Sequence, residues 1–295
     1  MKRSKIIIIG FGPAGIACAI QLRRMGLHPL VIEKDLPGGM LPNANLVENY
    51  PGFPNGISGD KLAELFIRQA ERFDIGVSKD EITSIENHEP VFYLQGKTKN
   101  YECEKLILAT GTIPYIPEGI PDDLIGKGLI HSDIQRLKNL SGMTIGIIGA
   151  GDAAFDYSLS LAEKGNQVMI FNRGNVIKAL KVLSEKVFIN NSIKYYENHR
   201  LDSLELSEFK SLTAFFNSTS SNSKYSLDYL IFATGRTPST GFFPDHPAGL
   251  HDSLVQQHRL YLIGDLKNGI CRQVSAAVGD GVRAAMEIFH DESHQ

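Results

Sequence analysis

The chain has 295 residues, enough for about two domains, and its 42% hydrophobic content with 28 glycines is that of an ordinary α/β globular protein. Thirty Lys and Arg against 33 Asp and Glu leave a formal charge of −3, which excludes a nucleic-acid binder relying on an overall positive field, while leaving room for a local basic patch. The three cysteines, Cys18, Cys103 and Cys271, are too scattered for a CxxC, a metal cluster or a disulfide framework, so no metal is expected and a reducing cytoplasm is the expected compartment.

In chain order, a basic start is followed by apolar Ile6 to Ile9 and then by Gly10, Gly12 and Gly15. A buried strand, a glycine turn and a helix account for this better than a signal peptide, and no apolar run is long enough to predict a membrane span. Residues 30–33 form a second strand ending at Glu33, and residues 106–111 a further strand ending in Ala109-Thr110-Gly111. The pattern then repeats. Residues 5–15 read KIIIIGFGPAG and residues 144–154 read TIGIIGAGDAA; residues 168–171 form the counterpart strand, followed by Asn172, and residues 230–235 end in Ala233-Thr234-Gly235. Glu33 lies 23 residues after Gly10, and Asn172 lies 23 after Gly149.

Two such units predict an α/β fold of two doubly wound, Rossmann-like, three-layer dinucleotide-binding domains. One more strand, residues 260–263, and a helix over about 273–289 are too many for the second unit and are read as returning to the first. The expected domains are therefore 1–113 plus 242–295, with 114–241 inserted, and residues 218–223 form a hairpin loop inside the insert.

The spacing Gly10-x-Gly12-x-x-Gly15 lets the backbone turn tightly and brings a pyrophosphate to a helix N-terminus, where free N–H groups and the dipole favour negative charge. Glu33 is placed to accept hydrogen bonds from an adenosine ribose. In the second turn, Gly149-x-Gly151-x-x-Ala154, alanine replaces the third glycine, and Asn172-Arg173 stands where an acid would repel a 2′-phosphate, so the reading leans to NADPH over NADH.

These residues resemble the low-molecular-weight thioredoxin reductase family of pyridine-nucleotide flavoproteins over nearly the whole chain. Gly38-Gly39-Met40-Leu41 resembles the family's loop beside the flavin. Val47-Glu48-Asn49-Tyr50-Pro51-Gly52 resembles the segment whose Asn contacts the isoalloxazine. Gly264-Asp265 resembles the motif whose Asp holds the ribityl chain, and Arg272-Gln273 with Gly279-Asp280-Gly281 resembles the last flavin-facing turn and helix. The resemblance implies FAD in the first domain, NAD(P)H in the second, and a homodimer. The candidate FAD residues are Gly10, Gly12, Pro13, Ala14, Gly15, Glu33, Lys34, Gly39, Met40, Leu41, Asn49, Ala109, Thr110, Gly111, Gly264, Asp265, Arg272, Gln273 and Val274. Those for NAD(P) are Gly149, Gly151, Asp152, Ala153, Asn172, Arg173 and Gly235.

The chain departs from the family where the redox-active CxxC should stand. Its cysteines would fall at Ser132 and Gln135, and the stretch reads Ser132-Asp133-Ile134-Gln135. The nucleotide-binding arginine pattern keeps only Arg173, with Lys178 as a distal cation, and the stretch from Gly235 to Gly264 is shorter than the family's. The expected activity is therefore an NAD(P)H-dependent flavoprotein oxidoreductase that passes electrons from flavin directly to a protein or small-molecule acceptor. The alternatives are a ferredoxin- or flavodoxin-NADP reductase-like enzyme, or a flavin-binding regulatory protein with a degenerate nucleotide domain. Cys271 beside Arg272 is a candidate reactive thiol, set against a reading as a small buried filler; Cys18 and Cys103 read as packing residues. His131 is a candidate proton donor, set against a structural histidine.

Overall fold

The computed structural model describes residues 1–207, 211–218, 222–242 and 257–293. The chain forms two compact units. The first holds Met1–Pro42, Val47–Ile113 and the chain from Pro238 onward; the second holds Pro114–Thr237 and the short segment Asn43–Leu46. The two passages of the chain fall at Pro114 and Pro238, and nothing in the sequence marked Asn43–Leu46.

The first unit begins with β1 (Lys2–Arg3), β2 (Ile6–Ile9), α1 (Pro13–Arg24), β3 (Leu30–Glu33), α2 (Gly59–Glu71) and β4 (Val77–Lys79). It continues with β5 (Ile82–His88), β6 (Val91–Gly96), β7 (Asn100–Cys103) and β8 (Lys105–Leu108). A strand pair, β9 (Thr112–Pro114) with β18 (Arg236–Pro238), marks the two passages of the chain. The second unit holds α3 (Asp122–Gly126), β10 (Ile130–His131), β11 (Thr144–Ile148), α4 (Asp152–Ala162), β12 (Gln167–Phe171), α5 (Lys181–Phe188) and β13 (Ile193–Tyr196). After it come β14 (His199–Leu206), β15 (Leu212–Ser218), β16 (Ser223–Leu227) and β17 (Tyr229–Phe232). Last, β19 (Leu260–Leu262) and α6 (Val274–Ser293) complete the first unit.

Among the described residues each unit has a five-stranded parallel sheet, ordered β19-β8-β2-β3-β4 in the first and β10-β17-β11-β12-β13 in the second. The inner strands correspond one to one. The outermost strand differs: β19 pairs with β8 from the end of the chain, whereas β10 pairs with β17 from the start of the second unit. A second sheet covers each parallel one, β1-β7-β6-β5 in the first unit and β14-β15-β16 in the second. The turn-rich loop near 218–223 joins the antiparallel pair β15 and β16; its residues 219–221, like 243–256 in the shortened stretch, lie outside the described residues.

The isoleucine run shows why a three-layer arrangement forms. A strand alternates its side chains between faces. Ile6 and Ile8 pack under α1 and α6 with Ile16 and Ile288, while Ile7 and Ile9 point the other way into Phe92, Leu94 and Tyr101. All four are buried, each contributing roughly 1.5–3 kcal/mol relative to exposure, so only a strand covered on both faces satisfies the run. On the helical side, α6 lies against α1 with almost no spacer: a Cβ on Gly281 would stand 2.2 Å from the Ala14 carbonyl oxygen and 2.9 Å from the Cys18 nitrogen. Gly281→Ala is therefore expected to destabilise the fold by about 1–3 kcal/mol. Urea unfolding checks this, and an unchanged midpoint would show that the two helices tolerate separation.

Candidate dinucleotide-binding sites

In the first unit, the chain leaves β2 through Gly10, which has φ +100 and whose Cβ would lie 2.3 Å from the Ala109 carbonyl oxygen. A Cβ on Gly15 would meet the Gly10 carbonyl oxygen at 2.0 Å. Only glycine fits either position. Helix α1 then starts at Gly12 with Pro13 in its first turn and no side-chain cap. A proline there sacrifices no hydrogen bond, and the uncapped N–H groups of the first turn form an anion site. Gly38 and Gly39, both with positive φ, come over this turn: the Gly38 N–H donates to the Phe11 carbonyl at 2.8 Å, and a Cβ on Gly39 would lie 3.1 Å from the Gly12 Cα. Two bare stretches of backbone thus leave a cradle that side chains would fill, and it fits a pyrophosphate.

At the end of β3, Glu33 closes the loop on itself. One carboxylate oxygen accepts the Phe11 N–H at 2.6 Å and the other the Asp35 N–H at 2.9 Å. These bonds hold the glycine turn in place. Met40 follows the turn, and Leu41 is buried at its base. Opposite, Gly264 has φ +71, and a Cβ there would come 2.8 Å from the Ala14 Cβ. Asp280 fixes that turn, accepting the Gly264 N–H at 3.1 Å and the Asn268 amide at 2.7 Å. The sequence signal for Asp280 is its place next to Gly281 in the last helix. Asp265, next to Gly264, is half-buried. Asn49 and Gln273, far apart in sequence, meet directly: the Asn49 amide donates to the Gln273 side-chain oxygen at 2.8 Å, just before α6 begins at Val274.

The Ala-Thr-Gly tripeptide has the same role in each unit. In the first, the Thr110 hydroxyl donates to the Ser239 carbonyl at 2.9 Å and the Ser239 N–H to the Gly111 carbonyl at 3.0 Å. In the second, the Thr234 hydroxyl donates to the Tyr115 carbonyl at 2.6 Å and the Tyr115 N–H to the Gly235 carbonyl at 3.0 Å. Ser239 and Tyr115 escaped the sequence reading because each is distant from the tripeptide it completes.

The second unit repeats the turn with differences. Gly149 has φ +138 and would meet the Ala233 carbonyl oxygen at 2.3 Å, as Gly10 meets Ala109. Helix α4 again starts without a side-chain cap, at Gly151, and presents Asp152 and Ala153 to solvent. Asp152 accepts the Leu180 N–H at 2.8 Å. Asn172 does not stand free at a ribose position. It is 7% exposed, and its amide donates to the Val176 carbonyl at 3.0 Å and the Tyr195 hydroxyl at 2.8 Å, while its oxygen accepts the Gly174 N–H at 3.2 Å. Its side chain shapes the loop; Arg173 and Lys178 are exposed.

At the position of the absent dithiol, Asp133 accepts the Gln135 N–H at 3.0 Å. His131 donates from Nε2 to the Gly128 carbonyl at 2.9 Å, and burial pulls its pKa below the ordinary value. Burial, with Asp133 adding and Arg236 opposing, pushes the nearby Tyr157 up to about 12. Cys18 and Cys103 are buried, and burial raises both thiols, Cys18 to about 12. Cys271 is exposed, which corrects the reading of it as a buried filler; its loop, with Ile270 fully exposed, leaves it no core to fill. Among the described residues no group of His, Cys, Asp and Glu is arranged to hold a metal, and no helix is long and apolar enough to cross a membrane.

A pair of parallel sheets, each with a glycine turn opening onto an uncapped helix, defines a protein built on two dinucleotide-binding modules. The pyridine nucleotide-disulphide oxidoreductase family model matches residues 4–281, and the chain belongs to that family as a thioredoxin reductase-like member. Thioredoxin reductase of Treponema pallidum is 30% identical over 291 residues, covering 95% of this chain and 94% of that one. Glucosaminate ammonia-lyase of Pseudomonas fluorescens is 27% identical over 310 residues, covering 97% and 95%. The crystal structure of Lactococcus lactis thioredoxin reductase, in its FR conformation, matches 99% of each chain with a TM-score of 0.86 at 23% identity, a likeness of fold.

Asp156 in α4 gives a pH test of the second unit. It accepts the Asn45 N–H at 2.8 Å, yet burial dominates and lifts its carboxyl from 3.8 to about 6. A raised carboxyl pKa means that the folded state binds the proton more tightly. Its contribution is complete below the unfolded value and is lost as pH rises through about 6. Asp156→Asn is expected to flatten the pH dependence of stability across that window and to be more stable than the parent by about 1–3 kcal/mol above it. Denaturation at a series of pH values checks this, and parallel curves for the two proteins would contradict it.

Proposed function

We propose that this protein is an NAD(P)H-dependent flavoprotein oxidoreductase that hands electrons from FAD directly to a small-molecule or protein acceptor, without a dithiol relay. The observation that carries the reading is the side-chain pair Ser132 and Gln135 where the family's relay cysteines stand, in a second unit whose residues 114–237 contain no cysteine at all. Neither side chain can form a disulfide or take up two electrons.

Bound FAD would accept a hydride from the nicotinamide and give up its two electrons to the acceptor. The chain's own residues position these groups. Gly10, Gly12, Gly15 and Gly39 would leave room for the pyrophosphate, Glu33 would accept hydrogen bonds from the ribose, and Gly264-Asp265 would hold the ribityl chain. Asn49 and Gln273 steady each other at the flavin edge, and the first N–H groups of α6, near Arg272 to Val274, favour negative charge there. Gly149, Gly151, Ala153 and Arg173 would hold the nicotinamide dinucleotide, its 2′-phosphate against Arg173. The working unit is taken as a homodimer, which light scattering of the purified protein tests.

The pure protein is expected to be yellow and to bleach on anaerobic mixing with NADPH, more slowly with NADH, and to fail to reduce thioredoxin. A colourless protein that refuses added FAD would sink the reading. Glu33→Ala is expected to weaken FAD retention about tenfold, measured by fluorescence of released flavin; full retention would remove Glu33 from the site. The internal bonds of Asn172 favour a second reading, a flavin-binding regulatory protein whose second unit no longer takes nucleotide. Tight FAD that neither NADPH nor NADH reduces is the outcome that selects it.

A further inference from the structure

The first unit also carries a cleft that the dinucleotide reading leaves unused. It is an open concavity of about 570 Å³ along β4, the outer strand of the parallel sheet, and β1, the outer strand of the covering sheet. Lys2, Arg3, His28, Lys79 and Lys99 line it together with Ser78, and its lining includes no acidic residue. Arg3 is partly neutralised by Glu102 at 3.3 Å, but among the described residues Lys2, Lys79 and Lys99 have no ion-pair partner. The carboxylate of Asp80, which follows Lys79 in the chain, is already engaged by the Tyr101 hydroxyl at 2.8 Å and by the backbone N–H groups of Thr98 at 3.0 Å and Lys99 at 3.1 Å.

Like charges around one concavity repel, in a protein whose overall charge is −3, and a bound anion would relieve that repulsion. We infer that this cleft is a binding site for a small polyanion whose charge is carried on linked phosphates. Ammonium groups on flexible stems suit phosphate oxygens. The volume falls within the roughly 300–1,000 Å³ of small-molecule sites, more than a single phosphate needs. No Phe, Tyr or Trp lines the cleft to stack a nucleobase, so recognition is by charge rather than by a base.

The test is calorimetric titration of the purified full chain with tripolyphosphate and with orthophosphate. Tripolyphosphate is expected to bind at least about tenfold more tightly than orthophosphate, and more weakly as salt rises. The double variant Lys79→Gln/Lys99→Gln should lose about tenfold in affinity and the single variant Lys99→Glu a comparable amount, each with an unchanged thermal melt. Lys164→Ala, on the surface of the second unit, should bind as the parent does. The inference fails if the parent shows no binding or if the lysine variants bind unchanged. Because the readout is binding of a phosphate chain, it stands or falls separately from flavin reduction.

Discussion

Backbone approaching backbone with no side chain between is the constraint on which the first unit depends. Gly10 lies under the Ala109 carbonyl, Gly15 under the Gly10 carbonyl and Gly281 under that of Ala14, each so close that a Cβ would fall within 2.3 Å of an oxygen. These approaches share one short stretch of chain, from Gly10 just after β2 to Gly15 in the first turn of α1. They draw strand, first helix and last helix together tightly enough that the opening turn of α1 stays uncapped and bare. A bare backbone cradle is what remains once nothing larger than hydrogen stands at those positions. The last helix is thereby part of the same construction, although more than two hundred residues separate it from the turn.

The second unit shows how far this constraint relaxes. Gly149 repeats the contact of Gly10, but the place of Gly15 is taken by Ala154, whose methyl is fully buried in the unit's core, and a Cβ on Gly151 would meet nothing within 4 Å. A turn with that much space would hold a dinucleotide less by shape, so on the proposed reading more of the recognition falls to the loop after β12. In this chain that loop is stiffened from within by Asn172, with Arg173 as the cation turned to solvent. Shape and charge are therefore distributed differently between two modules that share one strand plan.

Much of this was legible in the sequence because backbone geometry writes itself in glycine. The two turns, the isoleucine strand, the repeated Ala-Thr-Gly and the return of Leu260 to the first sheet all follow from residue types with few alternatives. The rest was hidden wherever a contact joins residues without a local pattern. Asn43–Leu46 belongs to the second unit because Asp156 accepts the Asn45 N–H, a bond that no periodicity announces. Asn172 occupies the ribose position in the spacing but faces inward, since side-chain direction depends on Tyr195 and the Val176 carbonyl. The exposure of Cys271 was equally invisible, because a free cysteine is buried by default and only the projecting loop around Ile270 overrides that.

Fold and family do not by themselves decide the reaction, and a relative named for an ammonia-lyase lies at much the same identity as the reductases. The chemistry has to be argued from the groups that remain. Around the vacant relay position these are a histidine held toward its neutral form, a phenol pushed up to about 12 and an aspartate tied to its own turn. None of them cycles between two-electron oxidation states. The buried thiols of the first unit are held as thiols by the same burial that packs them. On the proposed reading, electrons that reach the flavin have no protein carrier to leave by, so the acceptor itself must come to the flavin. The selectivity of such an enzyme would then reside in the shape and charge of the surface around the cofactor, which a substituted dithiol position leaves free to vary.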